Sequence, residues 1–272
     1  MSLKDHVYSF DTIVVGGNLA SLIYAYQNKL PIIISKIDIP PSISYFDASV
    51  DLKKLKVENV YKSLLTPEGE TLIGFNKEDL YTHLYYKLSF NGQVVFDVPQ
   101  QSMRLIKEQK LLKIVSDKSR LYSFKYKKII SFTKDIIGLE LDVKLQKYEL
   151  INHFSVSRAY IHDYKAILEQ EGGIIRYGFF DDYKTLITST LIEKDILEKN
   201  HHIDFYIKNY LEKYLSTFLN RIGRHKIKVV CNKTMKREIY EENITCKDNV
   251  YLITYSEESI INGKDYEKFS VI

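Results

Sequence analysis

Tryptophan is absent from these 272 residues, cysteine occurs 2 times and proline 5 times. Two cysteines, Cys231 and Cys246, cannot build a disulfide framework, and their spacing is not that of metal ligands. One bridge between them is conceivable, but two reduced thiols in a reducing compartment are the expectation. No stretch reaches the ~18 apolar residues of a membrane-crossing helix. Asp5 and His6 lead into a strand where a secretory leader would place an apolar run. The expected location is therefore the cytoplasm, with no membrane partner. Neither sign of charge dominates: Lys+Arg 39 against Asp+Glu 35 leaves +4. That lacks the concentrated basic face needed to grip a phosphate backbone, so nucleic acid is not an expected partner. The densest basic stretch, Arg221–Lys228, reads as a helix end and turn in solvent. There is no Gly-x-Ser-x-Gly elbow, no Walker lysine loop and no Cys/His metal set, so no metal site is expected. The adjacent His201 and His202 point in different directions and do not make a ligand pair.

What is present is enough apolar sequence for a sizeable core, 45% of residues, with tyrosine at 22. Thr12–Val15 is a short apolar run, as in a strand buried on both faces. Gly16 and Gly17 end it, and Asn18 is placed to cap a helix. Leu19, Leu22, Ile23 and Tyr26 then recur at helical spacing, Pro31 follows, and Ile32–Ile34 forms a second buried strand. Two strands this close, joined by a helix, predict a right-handed parallel β-α-β unit.

Further on, the spacing predicts an irregular stretch over Asp38–Asp51 and an ambiguous segment, with helix one reading, over Leu52–Leu65. A helix capped near Asn76 is expected to carry Leu80, Leu84 and Leu88 inward and to close at Asn91-Gly92. Short β segments at Val94–Val98, Ser102–Lys107, Leu111–Ser116, Leu121–Tyr126 and Lys128–Phe132 predict a meander. A second β-rich block covers Gly138–Ile192, with a hairpin pairing Ile174–Phe180 and Lys184–Ile192. Ile203–Ile222 has the apolar stripe of a core helix. Lys226–Cys231, Met235–Tyr240 and Val250–Thr254 read as strands.

The opening segment Val14-Val-Gly-Gly-Asn-Leu-Ala-Ser-Leu-Ile-Tyr-Ala25, followed by capped helix, meander and return strand, resembles the FAD/NAD(P)-binding oxidoreductases of the glutathione-reductase-like class. The amine-oxidase and UDP-galactopyranose-mutase branches are similar in layout. The resemblance implies an α/β fold: a Rossmann-like parallel sheet with a β-meander, plus an inserted, mostly antiparallel β domain of the substrate type. Residues 1–134 and 193–272 would form the dinucleotide-binding part and 135–192 the insert. It also implies FAD, bound by Gly16, Gly17, Asn18, Leu19 and Ala20, with Ser35 and Lys36 ending the second strand and Thr254 and Tyr255 following the last one. Asn18 and Ser21 stand where the fingerprint has its second and third glycines. Ser35-Lys36 replaces the usual ribose-binding acid, and a Gly-Asp pair is missing at Thr254-Tyr255. Arg158 and His162, in Ser157–Tyr164, and Arg176 and Tyr177, on the hairpin, are the candidate substrate residues. Two functions follow. One is an FAD-dependent oxidoreductase acting on a small molecule. The other is a non-catalytic, flavin-free descendant that serves as an interaction or structural module, with a protein partner or a homo-oligomer.

Overall fold

The computed structural model describes residues 6–34, 43–46, 55, 61–65, 71–97, 103–115, 121–156, 174–180, 185–193, 229–241, 243–255, 260 and 261. The chain opens with β1 (His6–Val15), α1 (Leu19–Asn28) and β2 (Ile32–Ile34). Asn18, extended at φ −92°, caps α1. Lys29 ends it in the left-handed region at φ 54°, donating its amide to the Tyr26 carbonyl, while the Leu30 amide reaches Ala25 at 3.0 Å. This closure satisfies carbonyls that a helix end otherwise leaves open. The next strands are β3 (Ile43–Phe46), β4 (Tyr61–Leu65) and β5 (Thr71–Asn76), which form a small antiparallel sheet in the order β3-β5-β4. The sequence reading of this region as irregular or helical is thus corrected at these strands.

After α2 (Lys77–Phe90), Gly92 turns the chain at φ 68° and β6 (Val94–Asp97) begins. The meander follows as β7 (Met103–Ile106), β8 (Leu111–Val115) and β9 (Leu121–Ser131). Two segments expected to be separate, Leu121–Tyr126 and Lys128–Phe132, are one continuous strand. β10 (Ile136–Ile137) returns beside β7. β11 (Leu145–Val156), β12 (Ile174–Phe180), β13 (Thr185–Glu193) and β14 (Val229–Tyr240) make a second antiparallel sheet in the order β12-β13-β11-β14. The expected hairpin is the β12–β13 pair. The stripe Ile203–Ile222 lies outside the described residues. β15 (Ile244–Lys247) and β16 (Val250–Ile253) form a hairpin through Asp248 and Asn249, both left-handed, the backbone that a two-residue type I′ turn demands.

Five strands form the parallel centre, side by side as β6-β2-β1-β9-β16. Alternate residues feed two cores. Val14, Ile32, Ile34, Ile130, Phe132, Tyr251 and Ile253 pack with α1 and α2. Ile13, Val15, Ile33, Ile129 and Val250 pack with the meander side chains Met103, Leu112, Ile114 and Phe124. The register places Phe96 beside Ile33 and Ile33 beside Val15, whereas Tyr122 pairs with His6. His6 and Val15 are about nine residues apart, roughly 30 Å of extended strand. Yet the rings of Phe96 and Tyr122 are 4.3 Å apart. The β1–β9 ribbon therefore curls back over the sheet face, and Phe124 is where it lands. The Phe124 ring stacks on Tyr8 at 5.4 Å and meets Phe96 edge-on at 6.0 Å.

Burial has a consequence at alkaline pH. The phenols of Tyr24 and Tyr126 are pushed up from 10.0 to about 12, chiefly by loss of hydration, and among the described residues the Tyr126 hydroxyl has no hydrogen-bond partner. The neutral form is favoured in the fold. Above pH 10 the unfolded chain gives up these protons and the folded chain keeps them, so the unfolded state binds fewer. Stability is expected to fall as pH rises from 10 toward 12. Urea midpoints measured across that window should decline, and Tyr126→Phe should flatten the decline and raise stability by about 1 kcal/mol.

Candidate functional site

In an open sheet of this order, ligands sit beyond the carboxyl ends of the strands, where the strand order reverses. That reversal falls between β1 and β9. Two chain segments flank it, Gly16-Gly17-Asn18 after β1 and Phe132-Thr133 after β9, and Thr254-Tyr255 follows β16, the next strand along.

Gly16 donates its amide to the Ile33 carbonyl at 3.0 Å, tying the turn to β2. A Cβ at this position would lie 2.7 Å from Ser21 Cβ, 2.9 Å from Ser21 Oγ and 3.0 Å from Phe132 Cβ. The glycine is thus demanded by the close approach of α1 and β9, whatever binds outside. Gly17 is buried beside it. Asn18 Oδ1 accepts the Ser21 amide at 2.9 Å, and Ser21 Oγ donates to the Asn18 carbonyl at 2.7 Å. Ser21 is fully buried. The two residues that replace fingerprint glycines therefore cap one another's backbone. Leu19 and Ala20, also buried, open the helix, and first-turn amides have no acceptor within the helix itself.

On the β9 side the Phe132 amide donates to the Val15 carbonyl at 2.8 Å, and the Phe132 ring leans on Tyr24 at 5.6 Å. Ser131, fully buried, donates its hydroxyl to the Thr133 carbonyl at 2.7 Å. Thr254 is fixed by its amide on the Asn243 carbonyl at 3.0 Å, and Tyr255 packs against the helix-side core. The register Leu252–Ser131 brings Thr254 and Tyr255 to the same edge as Gly16. Five of the nine residues expected to bind cofactor stand together at the first turn, and Thr254 and Tyr255 stand two strands along. Ser35 and Lys36 lie outside the described residues, as do Arg158 and His162. Arg176 and Tyr177 are on β12, paired with Ser189 and Thr188. Sequence reasoning missed Phe132, which follows a strand with no motif to mark it, and Asp97, the last residue of β6. Asp97 Oδ2 accepts the Tyr85 hydroxyl at 2.8 Å, and that bond is the main cause of the raised Tyr85 pKa.

A helix start attracts negative charge by its dipole and its unshared N–H groups. Asn18 turns back along α1 and satisfies one of the amides, that of Ser21. Among the described residues the amides of Leu19 and Ala20 have no acceptor. Among the described residues there is no group of three His, Cys, Asp or Glu placed to hold a metal, and no helix long and apolar enough to cross a membrane.

No protein-family model matches the sequence, and no curated protein matches it. Solved structures do match the fold. The myxobacterial chondrochloren halogenase CndH, a variant of FAD-dependent halogenases, aligns over 97% of this chain and 74% of its own at TM-score 0.57 and 9% identity. The p-nitrophenol 4-monooxygenase PnpA of Pseudomonas putida DLL-E4 aligns over 91% and 72% at TM-score 0.52 and 9% identity. An FAD-dependent oxidoreductase of Pseudomonas aeruginosa aligns over 98% and 93% at TM-score 0.51 and 10% identity. The architecture is accordingly that of the FAD-dependent oxidoreductases: a Rossmann-like parallel sheet with a meander, joined to an antiparallel sheet.

Proposed function

We propose that this chain, which has the fold of FAD-dependent oxidoreductases, binds the FAD diphosphate at the β1–α1 turn and acts on a small molecule. One observation carries the reading. The point where the parallel strand order reverses coincides with Gly16-Gly17 and the open end of α1, where such sheets take dinucleotides. When bound, FAD would supply the redox chemistry, and the protein would supply binding and orientation. Leu19 and Ala20 would hold the diphosphate by their amides. Gly16, Ser21 and Phe132 would keep helix and strand close enough for those amides to stay aligned. Thr254 and Tyr255 would line the far side. The insert, 135–192, is assigned the substrate side, with Arg158, His162, Arg176 and Tyr177 as its candidate contacts.

A second reading, a flavin-free descendant of the fold, is favoured by the mutual capping of Asn18 and Ser21. Both residues are committed to the helix itself, which the fold needs with or without a ligand. The purified protein decides between them. Under the first reading it carries flavin absorbance or binds added FAD by calorimetry. Under the second it is colourless and silent. The variant Asn18→Gly sharpens the comparison. It frees the Ser21 amide at a capping cost of only a few tenths of a kcal/mol. A charge-assisted hydrogen bond gained by the diphosphate stabilises by about 1.5–3 kcal/mol, so FAD is expected to bind about ten-fold tighter or more. If neither protein takes up FAD, the first reading falls.

A further inference from the structure

A dinucleotide that starts at the α1 amides must cross the end of β2, where its adenosine ribose presents two neighbouring hydroxyls. A carboxylate is the group that reads such a diol, because it accepts from both hydroxyls at once. In the sequence β2 is followed by Ser35-Lys36, a weak acceptor and then a cation. The register, however, sets Asp97 directly beside Ile34, the last residue of β2. Neighbouring strands are about 4.8 Å apart, so Asp97 stands within one strand's width of the missing acid. Residues paired across strands share a face, and Ile34 belongs to the core that contains α1 and α2. Asp97 is therefore on the α1 side of the sheet, at the same edge as the diphosphate site. It is exposed, and the Tyr85 hydroxyl from α2 donates to Oδ2 at 2.8 Å. The carboxylate is thus oriented through Oδ2, and among the described residues no other donor reaches it, so Oδ1 and the second lone pair of Oδ2 can accept from two hydroxyls.

We propose that Asp97, oriented by Tyr85, accepts the adenosine ribose hydroxyls, so that the ribose acid has moved from β2 to the adjoining strand β6. This rests on the dinucleotide reading given above. It makes Asp97 a binding residue and Tyr85 a positioning residue. It also accounts for how a chain with Lys36 after β2 would still hold a nucleoside.

The test is calorimetry with ADP and with 2′,3′-dideoxy-ADP, on the natural protein, Asp97→Asn and Tyr85→Phe. Asparagine keeps an Oδ1 acceptor for Tyr85, so the fold is expected to survive, and the urea midpoint checks this. The natural protein should bind ADP about ten-fold or more tightly than the dideoxy analogue. Asp97→Asn should lose about ten-fold for ADP and nothing for the analogue, which has no hydroxyls to lose. Tyr85→Phe should lose less than Asp97→Asn and show the same selectivity. Binding of ADP that is equal in the natural protein and Asp97→Asn, or an equal loss on both probes, overturns the assignment and leaves the dinucleotide reading standing. A natural protein that binds neither ADP nor FAD overturns both.

Discussion

Phe124→Ala is expected to cost about 3–5 kcal/mol of folding stability, the largest loss among the changes considered. Phe124 is fully buried. It is also the contact on which the curled ribbon closes: its ring stacks on Tyr8, lies 6.5 Å from Phe10 and meets Phe96 edge-on. Its removal leaves a cavity between two layers whose strands are each fixed by their own backbone pairing, so the gap closes only in part. Aromatic pairs add about 0.5–1.5 kcal/mol beyond area burial, which places the value in the upper part of that range. Urea unfolding monitored by circular dichroism measures it. Phe124→Leu should restore more than half of the loss, since it refills most of the volume. A cost below 1 kcal/mol would mean that the ribbon does not pack on the sheet.

Gly16→Ala is the second. A methyl group there meets Ser21 at 2.7 and 2.9 Å and Phe132 at 3.0 Å, and Ser21 is held to Asn18 by two hydrogen bonds, one from its amide and one from its Oγ. Over-packing of this kind destabilises by about 1–3 kcal/mol. Neither neighbour is the far end of a flexible side chain, so the upper half of the range is expected. The double variant Gly16→Ala/Ser21→Gly removes the closer clash and leaves the Phe132 contact. It should therefore be more stable than the sum of the single changes predicts, with a coupling of about 1 kcal/mol in a double-mutant cycle. Additivity would show that α1 does not approach β1 this closely. The cycle reads the fold alone, and so separates the structural role of Gly16 from any role in holding a ligand.

The parts of the fold that were legible in the sequence are those where one physical signal dominates. Thr12–Val15 and Ile32–Ile34 announce double burial by being apolar throughout, and α1 and α2 by their periodicity and caps. β3, β4 and β5 were not legible. Segments such as YKSLL and TLIGFN mix polar and apolar residues without strict alternation, and pairing with each other decides their state. β15 was missed although Asp248-Asn249 between two β-rich runs is a turn signal of known chemistry. At the site, Gly16 was legible as a turn, but the reason for it, Ser21 and Phe132, lies in tertiary packing. Asp97 could not be proposed from the chain alone, because the case for it is its place opposite Ile34, in a register that no local pattern encodes.

β9 is held on one edge by β1 along its whole length, and on the other first by β8 and then by β16. The last of these partners, Val250–Ile253, is also the last to leave the ribosome. Until it arrives, the second half of β9 offers bare amides and carbonyls next to Ile129 and Ile130, an edge on which other chains can add. Pairing of β16 with β9, two elements far apart in sequence, is thus the event that closes this edge to self-association.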